Sequence, residues 1–132
     1  LPKVYIDIHL PLDYISFSLV EDLQILEPFG KGNSRPLFAE KNLRIKRGFI
    51  LGKNQNVLKL KLLTKNNKLI DGLYFDDIEK FEMYIINKFG KEEVDKMYKG
   101  IDNKVKLDII YIPTINEYMG NRNLQIIIQN YR

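Results

Sequence analysis

The segment Val57-Leu58-Lys59-Leu60-Lys61-Leu62-Leu63 constrains the fold more than any other part of this chain. Its alternation places Leu58, Leu60 and Leu62 on one face of an extended strand and Lys59 and Lys61 on the other, as in a sheet with one side buried and one side wet. Two strand-like runs flank it. Residues 43–51 read as a strand interrupted by Gly48, where a bulge or sharp coil is expected. Residues 69–75 read as another, reached through the turn-forming pair Asn66-Asn67. Gly52-Lys53-Asn54-Gln55-Asn56 has the composition of a hairpin connection between the first two. The period then changes. Ile78, Phe81, Ile85, Phe89, Val94 and Met97, with charges between them, predict helix over 77–98, broken near Gly90 and ended by Gly100. Two further strands are expected at about 104–112 and 122–131, separated by a loop from Pro113 to Asn121.

Ahead of these elements, residues 3–10 alternate apolar and polar and read as a short strand. Ser16 or Ser18 offers a helix N-cap, and Ser18-x-x-Glu21 fits a capping box. Phe17, Val20, Leu23 and Ile25 or Leu26 recur at helical spacing, and Pro28, Gly30, Gly32 and Pro36 stop the helix. Three strands, a helix and two strands is the order of a five-stranded OB-fold barrel, although another small α+β sheet has the same order. The expected fold class is therefore mainly β: a five-stranded OB-fold barrel with a helix between strands 3 and 4, preceded by a short strand and helix. Residues 1–36 are expected to lead in from an upstream domain, and 37–132 to form the barrel domain.

At 132 residues with 45% hydrophobic content, the chain has the material for one domain with a real core. No apolar run approaches the roughly 18 residues of a membrane span, and no signal-peptide pattern opens the chain. The start at Leu1, without an initiator Met, predicts an excised or processed fragment. Cysteine is absent, which excludes disulfides and thiolate metal sites. Net charge is only +4, but it is segregated. Residues 41–70 carry nine cations (Lys41, Arg44, Lys46, Arg47, Lys53, Lys59, Lys61, Lys65, Lys68) and no Asp or Glu, whereas 1–40 and 71–108 each sum to −3. Such segregation gives a local field that attracts a polyanion; it is also what a solvated Lys-rich surface looks like.

Catalytic chemistry finds little to work with. Asp7 and His9 lie two apart on a strand and share a face, yet His9 is the sole histidine and no third or fourth ligand accompanies the pair. Asp76-Asp77 and Glu79 sit where helix capping and the helix dipole want acids. No serine has the histidine and acid of a triad. The residues therefore predict no catalytic site, no metal site and no cofactor in this chain.

The segment Leu26-Glu27-Pro28-Phe29-Gly30-Lys31-Gly32-Asn33-Ser34-Arg35-Pro36-Leu37-Phe38 resembles the L-x-P-F-G-x-G-N-P-x-P-x-F signature of RecJ, the bacterial single-strand-specific exonuclease family, with Ser34 in place of its usual Pro. Leu58-Lys59-Leu60 resembles the family's H-L-K-L strand with Val57 for His. Asn116-Glu117-Tyr118-Met119-Gly120, then Leu124-Gln125-Ile126-Ile127-Ile128, is similar to N-E-W-N-G followed by L-Q-L-x-I-x-D, with Tyr118 for Trp and Asn130 near the Asp. The resemblance covers nearly the whole chain in the right order. It implies a C-terminal OB-fold, with the chemistry in upstream domains of the same chain that carry Asp-His-His and further ligands for two Mn²⁺ or Mg²⁺ ions. It also implies a bacterial cytoplasmic parent that degrades single-stranded DNA 5′→3′ in recombination and repair. The helix at 77–98 is longer than family members usually have.

For the loop, Phe29 is expected to pack as a plug, Gly30 and Gly32 to permit tight turns, and Asn33 to hydrogen-bond local backbone, setting how the barrel docks on the preceding domain. Single-stranded DNA needs cations along its phosphates and aromatic faces under its bases. OB-folds present both from strands 2 and 3 and from the loops joining strands 1–2 and 4–5. That assigns Arg44, Lys46, Lys53, Lys59, Lys61, Lys65, Lys68 and Arg122 as cations of the interface. Tyr118, placed in the last loop, is the stacking aromatic, while Tyr74 and Tyr111 read as core or rim. The rival reading is a docking module whose basic face meets another domain or an acidic protein.

Overall fold

The structure, a computed structural model, describes residues 8–27 and 35–132. Phe29, Gly30, Gly32, Asn33 and Asp7 therefore lie outside the described residues. The elements in chain order are β1 (Ile8–His9), α1 (Phe17–Ile25), β2 (Phe38–Leu51), β3 (Val57–Leu63), β4 (Leu69–Tyr74), α2 (Ile78–Phe89), α3 (Lys91–Tyr98), β5 (Lys106–Tyr118) and β6 (Asn121–Tyr131), with a 3₁₀ turn at Leu12–Tyr14.

The alternating segment behaves as its pattern requires. Leu58, Leu60 and Leu62 are fully buried, and each contributes about 1.5–3 kcal/mol relative to an exposed side chain. β3 pairs antiparallel with β2 and β4; β4 pairs parallel with β6; β6 pairs antiparallel with β5; and β5 pairs back onto β2. Omitting β1, the order β2-β3-β4-β6-β5-β2 closes on itself, as an OB barrel does. Closure depends on β2, whose first half ladders with β5 and whose second half ladders with β3. Two irregularities bend it, between Glu40 and Leu43 and between Ile45 and Arg47. The second lies at Lys46, two residues before the expected break at Gly48. Gly48 serves packing instead: a Cβ there would meet Met97 Cε at 3.0 Å.

Both ends of the barrel are plugged. Phe81 and Ile85 of α2 and Val94 and Met97 of α3 fill the end where β4 and β6 finish. Asp77 caps α2, its Oδ1 accepting from Lys80 N at 3.0 Å, and the helical stretch breaks at Gly90 (φ 92°) as expected. Leu12 and Ile15 join the same core from the opposite end. There the Leu12 amide donates to the buried Glu40 carboxylate at 2.7 Å, and Asn66 N donates to Asp13 at 3.0 Å. Ser16, not Ser18, caps α1, accepting from Leu19 N at 3.0 Å, so the Ser18 capping box does not form.

Two further sequence expectations are corrected. The first barrel strand starts at Phe38 rather than residue 43. The loop expected from Pro113 to Asn121 is largely strand: β5 continues to Tyr118, and only Met119-Gly120 turns, at φ 52° and 80°. Pro113 is tolerated because the β2 ladder stops at Tyr111, leaving this part of β5 without a ladder partner on that side among the described residues. Two central residues with positive φ make the tight hairpin turn that matches strand twist.

Candidate nucleic-acid interface

The outer face of the barrel is built by register. Across β2, β3, β4 and β6 one row reads Arg47, Lys61, Asp71, Gln125, and the next reads Phe49, Lys59, Leu73, Ile127. Lys59 and Lys61 do point away from the core, but both converge on Asp71, at 3.5 and 2.6 Å. Three half-buried charged groups thus leave a net charge of +1 where sequence alone counts +2. Arg47 was not among the expected contacts, yet its guanidinium lies 4.7 Å from the Phe49 ring centroid. A cation over an aromatic ring on the outer face of the sheet combines the two chemistries a single strand requires. The signal for it was present, since Arg47 and Phe49 share a face by alternation.

The remaining cations divide into held and free. Arg44 bonds Asp102 at 3.1 Å. Lys65 donates to the carbonyls of Lys41 and Asn42 at 2.9 and 2.8 Å, with Glu40 3.4 Å away, so it ties the β3–β4 turn to β2. Arg122 spans Glu117 at 3.2 Å and Glu21 at 4.0 Å and rests 5.1 Å from the Phe17 ring, binding the β5–β6 hairpin to α1. Lys46, Lys53 and Lys68 make no ion pair among the described residues. Lys53 stands in the β2–β3 turn. Lys46 and Arg44 border a small groove with Leu63, Asp102 and Asn103. Lys68, Arg122 and Asp13 line an open groove of about 420 Å³ together with Leu12, Ile15 and Ile70. The structure thus unites Lys59 with Lys61, Arg44 with Lys46, and Lys68 with Arg122, as three separate groups.

Tyr118 is 68% exposed, but it is the last residue of β5, paired with Asn121 across the hairpin, and not a loop residue. Tyr74 and Tyr111 are core. Burial pushes the Tyr74 hydroxyl up to about 12, with Tyr131, Asp76 and Asp77 adding to it. Tyr74 packs edge-on against Tyr131, centroids 5.6 Å apart. Tyr111 donates to the Leu10 carbonyl at 2.6 Å, and burial, with the Glu40 charge adding to it, raises its pKa. Neither ring is free to stack on a base. His9 is exposed beside β2, and among the described residues no three His, Asp or Glu side chains gather to hold a metal ion. No helix among the described residues is long and apolar enough to cross a membrane.

A closed barrel of this strand order, with a helical insert between its third and fourth strands, defines an OB-fold domain. The family model of the RecJ OB domain matches residues 6–130, and the chain belongs to that family. Among solved structures it is similar to RecJ from Thermus thermophilus in complex with Mn²⁺, at 18% identity and TM-score 0.62, covering 98% of this chain and 16% of that one. It is also similar to the Mg²⁺ complex of RecJ from the same organism, at 18% identity and TM-score 0.52, covering 86% of this chain and 14% of that one. The chain thus spans about one sixth of the length of the solved relatives it matches. No curated protein matches it.

Proposed function

We propose that this domain binds single-stranded DNA for a RecJ-type 5′→3′ exonuclease of recombination and repair in the bacterial cytoplasm. Residues 1–36 would connect it to upstream catalytic domains of the same chain. The observation that carries the reading is the outer face of β2 and β3, where Arg47 over Phe49 adjoins Lys59 and Lys61. Cations there would follow phosphates while the ring and the neighbouring apolar surface meet bases. Lys53 and the Lys68–Arg122 groove would extend the track at its two ends. The Mn²⁺ or Mg²⁺ of the parent nuclease would belong to the upstream domains; this domain's part is to grip and position the strand.

One observation favours a second reading, docking on another domain without DNA contact. Five expected contacts (Arg44, Lys59, Lys61, Lys65, Arg122) are engaged inside the protein. Leu51, Leu69 and Phe75 meanwhile leave 41%, 56% and 54% of their surface exposed. Fluorescence anisotropy with labelled single and double strands at several salt concentrations separates the two. On the DNA-binding reading, log K falls linearly with log salt, with a slope near −0.7 for each phosphate contacted, and single strands bind more tightly than duplex. Absence of binding at low salt leaves docking.

A further inference from the structure

Five arginines fall among the described residues, and four of them are paired with acids: Arg35 with Glu27, Arg44 with Asp102, Arg122 with Glu117 and Glu21, and Arg132 with Asp108. Arg47 is the exception. It is exposed and makes no ion pair or side-chain hydrogen bond among the described residues, so its donors are unspent. What fixes it is packing. Its guanidinium lies over the Phe49 ring, and a Cβ at Gly100 would stand 3.0 Å from Arg47 Cδ, 3.4 Å from Nη1 and 3.5 Å from Nε. Gly100 is where α3 stops. Its amide donates to the Met97 carbonyl at 3.1 Å and the Ile101 amide to the Lys96 carbonyl at 2.9 Å, with Gly100 left-handed at φ 72°, which is the Schellman pattern. The turn is itself anchored on β2. Asn103 Nδ2 donates to the carbonyls of Ile45 and Ile101 at 3.1 and 3.0 Å, and Met97 and Tyr98 close on the bare backbone of Gly48, so the end of α3 rests on β2 beside Arg47.

We propose that the turn between α3 and β5 is a positioning element of the DNA interface: the bare backbone of Gly100 holds the Arg47 guanidinium on Phe49, ready to meet a phosphate. The inference rests on the DNA-binding reading proposed above. An arginine loses rotamer freedom when it engages an anion, and one already ordered by packing loses less. The other four arginines are ordered by an acid, which occupies the donors and offsets the charge that a phosphate needs. Gly100 and Phe49 order Arg47 without an acid, so its whole charge stays available. Glycine suits the position twice over. A methyl group there displaces Arg47, and a left-handed backbone strains most other residues. The helical insert thereby has a task beyond plugging the barrel, because its last turn sets a cation on the outer face.

The test is a double-mutant cycle on the 132-residue chain, with Arg47→Ala and Gly100→Ala made singly and together and titrated with labelled oligo-dT at several salt concentrations. Gly100→Ala should weaken binding about two- to tenfold and leave the slope of log K against log salt unchanged, because Arg47 still reaches its phosphate. Arg47→Ala should weaken binding further and flatten the slope by about 0.7. In the Arg47→Ala background, Gly100→Ala should have no effect on affinity. Strain at the left-handed turn is common to both backgrounds and cannot produce that difference. Should Gly100→Ala fail to fold, Gly100→Asn tolerates the left-handed turn, bears the same Cβ and should show the same coupling. The order of Arg47 is read without DNA from the heteronuclear NOE of its Nε–H, which should fall in the Gly100 variant. Equal losses in both backgrounds, a Gly100 variant that binds like the parent, or an unchanged NOE overturns the inference and leaves the DNA-binding reading standing. If Arg47→Ala itself binds like the parent, or nothing binds at low salt, the DNA-binding reading fails at Arg47 and takes this one with it.

Discussion

Asp71→Asn should make the domain less stable and better at binding DNA, and the opposed signs make the experiment decisive. The Asp71 carboxylate sits 2.6 Å from Lys61 Nζ and 3.5 Å from Lys59 Nζ, with all three side chains about one-third exposed. Pairs so placed gain roughly 0–1 kcal/mol each, because solvent screens them and two long side chains lose freedom. Removing both should therefore cost between about 0 and 2 kcal/mol, and a loss of about 1 kcal/mol lowers Tm by roughly 3–6 °C for a domain of this size. Binding gains on two counts. A fixed negative charge about 6 Å from a bound phosphate repels it by roughly 0.7 kcal/mol in water, so its loss alone gives about threefold at low salt. The two released ammonium groups can each meet a phosphate, steepening the slope of log K against log salt by as much as about 1.4. Thermal melting and anisotropy against oligo-dT between low and moderate salt measure both effects. A variant with lower Tm but unchanged affinity and slope would refute the reasoning, because Lys59 and Lys61 would then not face the strand.

Gly72→Ala should destabilise the barrel by about 1–3 kcal/mol in urea unfolding, since its Cβ would stand 2.9 Å from Leu62 Cδ1 and 3.2 Å from Ile128 Cδ1 inside a packed wall. Tyr118→Ala should weaken binding of base-bearing strands by about 1–3 kcal/mol and leave Tm within a degree or two, as read by anisotropy and melting. Acid should weaken the fold partly through Asp108. Burial pushes the Asp108 carboxyl up, but the Asn42 amide and Arg132 outweigh it and hold the carboxyl below its usual value of 3.8. Its stabilising contribution is thus fully present above that value and is lost as pH falls through the lower folded one. Asp108→Asn should accordingly narrow the gap in Tm between about pH 6 and about pH 3, and an identical gap in both proteins would remove Asp108 as a source of acid sensitivity.

The sequence by itself determined which residues face inward and in what order the elements come. Period-two alternation in Val57–Leu63 and period-3.6 spacing from Ile78 to Met97 are local consequences of backbone geometry, so β3, α2, α3 and the break at Gly90 were legible, as was the RecJ-type barrel they compose. The tertiary structure alone decided what local pattern cannot encode. Pro113 reads as a strand breaker until β2 is seen to stop its ladder at Tyr111, after which Pro113 needs no donor on that side and β5 runs on to Tyr118. The charge count of residues 41–70 holds no acid, yet Asp71 of the neighbouring strand, Asp102 and Glu40 pair with four of its nine cations, and Glu21 reaches Arg122. Coulomb interactions act through space, and register brings together charges that composition lists apart. The same register set Arg47 on Phe49.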